Sequence, residues 1–191
     1  MKHFFLFISV WFLVFCKNKN LTGDPSTAPL TEMATLVSDP PTISSEFPFD
    51  VTVKDKDQND ISTTAILEKN GKPTVMMFWL TTCNPCSREL AAINQNYSSW
   101  QREVPFNLVA MSEDRDVNYP AFIQRVNSEQ WPFNSYWDFN RTFKGILPGS
   151  LNGLPQTFIF NKKGKLVWQK RGYLPGWEKE IFENIKLASR S

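Results

Sequence analysis

The chain has 191 residues, 41% of them hydrophobic, and carries 21 basic against 19 acidic side chains, for a net charge of +2. This length suffices for one domain with its own core, and the near-neutral balance excludes a strongly polycationic nucleic-acid binder. The one histidine is His3. A domain without the N-terminal segment therefore has no histidine, which excludes serine–histidine and cysteine–histidine hydrolases and metal sites built on imidazole.

Residues 1–16 are predicted to be an export signal. A basic start at Lys2 precedes an apolar run that ends at Cys16, too short to span a membrane and of the length of a signal-peptide core. The stretch LVFC at 13–16 is similar to a bacterial lipobox and predicts lipidation of Cys16, although Phe15 stands where a small residue is usual. Cleavage nearby or an uncleaved short anchor are the alternatives. All three place the domain outside the cytoplasm, where disulfides persist.

Residues 17–46 are predicted to be a flexible tether. They are rich in Ser, Thr, Pro and Asn and show no sustained apolar period, so they are too polar to fold alone. The folded domain is expected over residues 47–191. A tether between a lipid anchor and this domain would let the domain search the space near a membrane.

The rest of the chain alternates strands and helices. The patterns predict, in chain order, an edge strand or hairpin at 47–53, a strand buried on both faces at 74–80, a helix at 85–101, a second buried strand at 106–111, a helix at 117–126, a hairpin of strands at 157–160 and 165–169, and a last helix at 177–187. Helical crossovers require parallel pairing and the hairpin requires antiparallel pairing. We therefore expect an α/β domain with a mixed central sheet flanked by helices.

An aromatic-rich stretch at 131–143 precedes the predicted hairpin. It contains Trp131, Phe133, Tyr136, Trp137, Phe139 and Phe143. We interpret these side chains as packing under a long loop, with a hydrophobic partner groove as the alternative.

Cys83 and Cys86 lie where the first buried strand meets a helix. A helix N-terminus presents unpaired N–H groups and the positive end of the helix dipole, which stabilise a thiolate. Cys86 follows one helical turn later, close enough for a disulfide, and Pro85 fits the first turn of a helix. We therefore expect Cys83 to be the exposed attacking sulfur and Cys86 the buried resolving one.

The cysteine pair has three other interpretations. Half of a zinc ribbon needs a second pair of ligands, which no remaining cysteine or histidine supplies, so no metal is expected. A purely structural disulfide gains little from closing a four-residue loop. Two inert buried thiols are the third alternative. A redox-active pair is the interpretation that the position favours.

Several further motifs accompany the pair at fixed order along the chain. They are GKP at 71–73, FW at 78–79, CNPCSRE at 83–89, GLPQTF at 153–158 and KGK at 163–165. With them the sequence resembles the thioredoxin-like thiol-disulfide oxidoreductases, and within these the extracytoplasmic TlpA/ResA-type branch, over about residues 47–188. Two departures are Thr82, where that family usually has tryptophan, and Ala91, where it commonly has proline.

The resemblance implies a thioredoxin-like fold and a protein-disulfide oxidoreductase that needs no cofactor. It implies a cis peptide bond before Pro155, which would pack against the cysteine pair. The Leu154 backbone would pair with an extended substrate chain, and Trp79 and Asn84 belong to the same implied substrate-binding set. A trans proline in a turn is the alternative that the sequence alone would favour.

The resemblance also implies a role for Glu89. This residue lies three positions after Cys86, on the same helix face, and would accept or relay the proton of Cys86. Burial would raise its pKa and make it a usable base near neutrality. The alternative is a surface glutamate paired with Arg88 or Lys72.

The implied activity is the reduction of disulfides in other exported proteins, for example in cytochrome c maturation. The partners would be those proteins, a membrane thiol electron donor and the membrane itself through the lipid anchor, with no nucleic acid. The expected location is the periplasm or cell envelope. One alternative is a peroxiredoxin-like peroxidase, which expects threonine three residues before its cysteine, where this chain has Leu80. The other is a non-enzymatic lipoprotein binding module with a structural disulfide.

Overall fold

A seven-stranded mixed sheet with helices packed against it forms the domain. The computed structural model describes residues 49–67 and 69–191. The predicted signal segment with Cys16 and the predicted tether lie outside the described residues. The elements are β1 (Thr52–Lys54), β2 (Asp60–Ser62), α1 (Thr63–Ile66), β3 (Thr74–Trp79), α2 (Asn84–Glu103), β4 (Asn107–Ser112), α3 (Tyr119–Glu129), β5 (Asn134–Trp137), α4 (Phe143–Ile146), β6 (Gln156–Phe160), β7 (Leu166–Arg171) and α5 (Trp177–Ala188).

The strands are ordered β2-β1-β5-β4-β3-β6-β7. The three central strands β3, β4 and β5 pair in parallel, whereas β6 pairs antiparallel to β3, and β7 to β6. The β1–β2 hairpin joins the other side of the sheet through an antiparallel contact with β5. The predicted mixed sheet flanked by helices is therefore confirmed.

Strand β3 divides the core into two layers. Val75, Met77 and Trp79 face a cluster built largely from α2, α3 and α5, whereas Met76 and Phe78 face the opposite cluster. All six residues of this strand are buried. That explains why its sequence is a continuous apolar run rather than an alternating one.

Most predicted elements are present, with the expected differences of a few residues at their ends. Strand β2 and the short helices α1 and α4 were not predicted, and neither was β5, which lies in the stretch interpreted as a long loop. The β5 sequence NSYW has only four positions, and its strand-favouring Tyr136 and Trp137 follow Asn134, which is unfavourable in strands, so the strand signal is weak. Pairing with β4 nevertheless recruits it to the sheet. The interpretation of the nearby aromatic side chains as packing is confirmed for Phe133, Trp137 and Phe143, which are buried.

Thr63 ties the start of the domain to the β1–β2 hairpin. Its buried hydroxyl accepts a hydrogen bond from Val51 N at 2.9 Å and donates to Phe49 O. Replacing Thr63 with valine keeps the shape but leaves two buried backbone groups without this partner. The Thr63→Val variant should lose about 1–3 kcal/mol of unfolding free energy, measured by urea denaturation. The exposed neighbour gives the control: Thr64→Val should lose no more than about 0.5 kcal/mol, and equal losses would contradict the assigned role.

Candidate active site

The redox pair forms the start of α2. The side chain of Cys83 caps this helix, and its sulfur accepts a hydrogen bond from Cys86 N at 3.2 Å. The two cysteines form a disulfide with an S–S distance of 2.00 Å. Cys86 is completely buried, whereas Cys83 is half-buried. This arrangement favours Cys83 as the sulfur that a partner can reach, and Pro85 lies in the first turn as predicted.

The loop before β6 approaches the disulfide from the neighbouring strand. The Leu154–Pro155 peptide bond is cis, as the motif resemblance implied. The carbonyl oxygen of Leu154 lies 3.6 Å from Cys83 Sγ. This loop is fixed at both ends: the Gln156 amide donates to Asn152 O and Gly153 O, and Gly172 N donates to Pro155 O at 2.7 Å.

Glu89 lies beneath the disulfide on the next turn of α2. Only 2% of its surface is exposed, which rejects the surface ion-pair alternative. Thr157 Oγ1 on β6 donates a hydrogen bond to Glu89 Oε1 at 3.1 Å. Burial raises the pKa of Glu89 to about 8, against smaller lowering effects from this hydrogen bond and from Lys170. A carboxyl of that pKa can gain or lose a proton near neutral pH.

The remaining predicted substrate-binding residues are placed differently from one another. Asn84 is exposed beside Cys83, and Leu154 is half-buried. Trp79 is 1% exposed and packs edge-on against Trp131, with ring centroids 5.4 Å apart. Placing Trp79 among the residues that contact a substrate is therefore corrected: as the last residue of β3 it supports the site from the core.

Sequence reasoning missed Asp114, which shapes the loop before Cys83. Asp114 is fully buried and accepts hydrogen bonds from Thr81 N and Thr81 Oγ1, at 2.9 and 2.8 Å. It also accepts from Ser112 Oγ at 2.8 Å. The only sequence signal was its place in the polar run directly after a buried strand. Because β3 and β4 are parallel, their carboxyl ends meet, and this brings Asp114 to the cysteine loop.

A second buried acidic group lies at the same edge of the sheet. Glu113 is 1% exposed, and its charged neighbours are Asp138, after β5, and Arg141, whose Nε lies 3.6 Å from Glu113 Oε2. Burial, helped by Asp138, raises the pKa of Glu113 to about 8. Asp138 also accepts a hydrogen bond from Phe143 N at 2.8 Å. Glu113 and Asp138 together therefore connect the end of β4 to α4.

Two kinds of feature, a metal site and a membrane-spanning helix, are absent from the described residues. In the part of the chain that it describes, no three His, Cys, Asp or Glu side chains are grouped so as to hold a metal ion. Within the same residues, no helix combines the length and apolar character that crossing a bilayer requires.

A helix-capping CxxC pair, a cis proline beside it and a central mixed sheet together define a thioredoxin-like protein. A thioredoxin-like protein from Porphyromonas gingivalis, described as uncharacterized, is 32% identical, with a TM-score of 0.62 over 74% of this chain and 91% of that one. A thioredoxin family thiol:disulfide interchange protein from Chlorobium tepidum shares the fold at 18% identity, with a TM-score of 0.56 over 74% and 97% of the two chains.

Residues 43–169 match the AhpC/TSA family model, and the chain belongs to that family. It is also similar to proteins named thiol-disulfide oxidoreductase ResA. The one from Bacillus thuringiensis subsp. konkukian is 26% identical over 105 residues, and the one from Bacillus anthracis is 29% identical over 117 residues. The matches cover 53% and 58% of this chain, and 56% and 64% of those relatives.

The protonation of Glu113 should be visible in the pH dependence of stability. The pKa of Glu113 is raised in the folded protein. Protonated Glu113 therefore contributes its full stabilisation of the folded state below about pH 4.5, the ordinary pKa of a glutamate carboxyl. This stabilisation is lost as the pH rises toward 8. The oxidised protein should lose on the order of 2 kcal/mol more unfolding free energy between pH 5 and pH 8 than the Glu113→Gln variant. Urea denaturation at both pH values measures this.

The exposed residue Glu103 provides the control for this measurement. A Glu103→Gln variant makes the same substitution at an exposed position, and its loss of unfolding free energy between pH 5 and pH 8 should match that of the wild type. If Glu113→Gln loses stability as steeply as the wild type, Glu113 does not hold a proton in the folded protein.

Proposed function

We propose that this protein is an exported thiol-disulfide oxidoreductase that reduces disulfides in other exported proteins, as in cytochrome c maturation. One observation carries the proposal: a half-buried Cys83 sulfur at a helix N-terminus is joined to a fully buried Cys86 and lies 3.6 Å from the Leu154 carbonyl. Similarity to the proteins named ResA supports the reaction class. The signal-like segment 1–16 supports export and anchoring through Cys16.

The reaction starts from the reduced pair. The Cys83 thiolate, stabilised by Cys86 N–H and the helix dipole, attacks one sulfur of a substrate disulfide. That S–S bond breaks, a mixed disulfide with Cys83 forms, and the second substrate sulfur leaves as a thiolate that takes a proton from water. Asn84 and the backbone of Leu154 contact the substrate chain at this stage.

The second half of the reaction resolves the mixed disulfide. The Glu89 carboxylate accepts the proton of the Cys86 thiol, and the Cys86 thiolate attacks Cys83 Sγ. The bond from Cys83 to the substrate breaks, the remaining substrate sulfur leaves as a thiolate, and the Cys83–Cys86 disulfide forms. Two electrons have then moved to the substrate, and a membrane thiol donor returns two electrons to the pair. This chemistry calls for no cofactor.

Trapping the intermediate tests the assigned roles of the two sulfurs. Cys86→Ser leaves the attacking thiolate but removes the resolving one, so it should accumulate a mixed disulfide with a disulfide-containing substrate protein. Cys83→Ser should accumulate little, because its remaining sulfur is buried. Non-reducing electrophoresis and intact mass measure both products. Equal trapping by the two variants would contradict the assignment.

The direction of electron flow is tested by the reduction potential of the pair in residues 17–191. Equilibration in graded thiol buffers, alkylation and mass measurement should give a reversible midpoint well below about −200 mV, as a reductase requires. A midpoint near about −120 mV would indicate an oxidant instead. A pair that never titrates would leave the binding-module alternative.

Peroxide turnover separates this proposal from the peroxidase alternative. Leu80 stands where a peroxidase would place its threonine, and its carbonyl accepts a hydrogen bond from Cys83 N at 3.1 Å. The hydroxyl of the residue directly after Leu80, Thr81, donates a hydrogen bond to Asp114 Oδ1 at 2.8 Å. The reduced protein should therefore consume hydrogen peroxide no faster than a simple thiol, and rapid consumption would favour the alternative.

A further inference from the structure

A lysine on the edge strand faces the buried acid of the active site. Thr157, whose hydroxyl donates to Glu89, is paired in register with Lys170 on β7. Side chains of register partners in an antiparallel pair extend to the same face of the sheet. Lys170 therefore lies on the face that holds Glu89, and its positive charge lowers the pKa of Glu89 against the larger opposing effect of burial.

Helix α5 holds the ammonium group of Lys170 in place. Lys170 Nζ lies 3.7 Å from the centre of the Trp177 ring and forms an ion pair with Glu180. Both contacts come from the first turn of α5, and only 21% of the Lys170 side chain is exposed. A cation that is held and partly desolvated in this way acts on its surroundings more strongly than a mobile surface lysine.

The other polar groups around Glu89 give its carboxylate form few hydrogen bonds. Among the described residues, Glu89 Oε2 has no hydrogen-bond partner. From the loop before α5, the buried Tyr173 donates its hydroxyl proton to Glu178 Oε2 at 2.7 Å. Burial, with the nearby carboxylates of Glu178 and Glu89, raises the pKa of Tyr173, so this phenol stays neutral. From α2 the neighbouring titratable group is Cys86 in its reduced form.

We propose that Lys170 is a positioning residue of the redox site: its ammonium group stabilises the carboxylate form of Glu89, and Glu180 offsets part of that effect. The inference rests on the proposed function, in which Glu89 takes the proton of Cys86. In that step the S–H bond of Cys86 breaks, an O–H bond forms on Glu89, and no electrons are exchanged. Lys170 adjusts how readily Glu89 accepts the proton and gives it up again.

Two substitutions at this cluster should act in opposite directions. Lys170→Met removes the stabilising charge, so the titration midpoint of Glu89 should rise by about half a pH unit or more. Glu180→Gln leaves the ammonium over Trp177 without its counter-charge, so the midpoint should fall. Lys170→Arg keeps the positive charge, so the Glu89 midpoint should stay within about 0.2 pH unit of the wild-type value. This change is smaller than the shift expected on loss of the charge.

The midpoint is measured directly by carbon-13 NMR of glutamate carboxyl groups in the oxidised protein, with Glu89→Gln identifying the resonance. Helix α5 offers a matched control: Lys186 forms an ion pair with Glu183, and its Nζ lies 5.1 Å from the Phe182 ring centre. Lys186→Met and Glu183→Gln should leave the Glu89 midpoint unchanged. These two variants show whether the loss of any lysine–glutamate–aromatic cluster on α5 is enough to shift the Glu89 midpoint.

The outcomes separate this inference from the proposed function. A Glu89 midpoint that Lys170→Met leaves unchanged overturns the inference even if the protein reduces disulfides. Shifts in the same direction for Lys170→Met and Glu180→Gln also overturn it, because they would report a structural disturbance. Opposite shifts in a protein without exchange activity would support the Lys170–Glu89 coupling and contradict the proposed function. If Lys170→Met does not fold, the inference is tested by Glu180→Gln, which should lower the Glu89 midpoint, and by Lys170→Arg, which should leave it close to the wild-type value.

Discussion

The junction between β3 and α2 is the constraint on which the site depends. Strand β3 is buried on both faces, so its end at Trp79 cannot move without disturbing both halves of the core. Helix α2 begins at Asn84, and Cys83 is its cap. Cys83 Sγ thus takes its position from a strand that is buried on both faces. The Leu154 carbonyl lies 3.6 Å from this sulfur, and Asp114 holds the loop before it through Thr81.

The next two strands outward supply other groups around the cysteine pair and Glu89. Strand β6 pairs with β3 and provides Pro155 just before it and Thr157 within it. Strand β7 pairs with β6 and provides Lys170. Burying a carboxyl such as Glu89 is costly unless its neighbours favour one protonation state. The strand order therefore places both groups that lower the pKa of Glu89 against the larger effect of burial, the Thr157 hydroxyl on β6 and the Lys170 ammonium on β7.

The residues whose structure could be predicted are those that belong to a motif or to a regular pattern of neighbouring residues. The buried run of β3, the CxxC at a helix start and the GLPQTF motif each specify their structure over a few positions. Strand β5 and Asp114 could not be found this way, since NSYW is a weak strand sequence and the position of Asp114 depends on its neighbour across the sheet. The contact of Lys170 with Trp177 could not be predicted either, because a pattern of lysines does not reveal a tryptophan from a later helix. The burial of Trp79 follows from its place in the strand rather than from its motif.

The two outer strands of the sheet have a further consequence. On one side β2 is only three residues long and includes Asp60, which pairs with Lys54 across the hairpin. On the other side β7 ends in Lys170 and Arg171. Short strands and charged side chains at sheet edges discourage the addition of a foreign strand. Both edges of the described sheet are thus built against the addition of a further strand, which disfavours edge-to-edge aggregation of the domain.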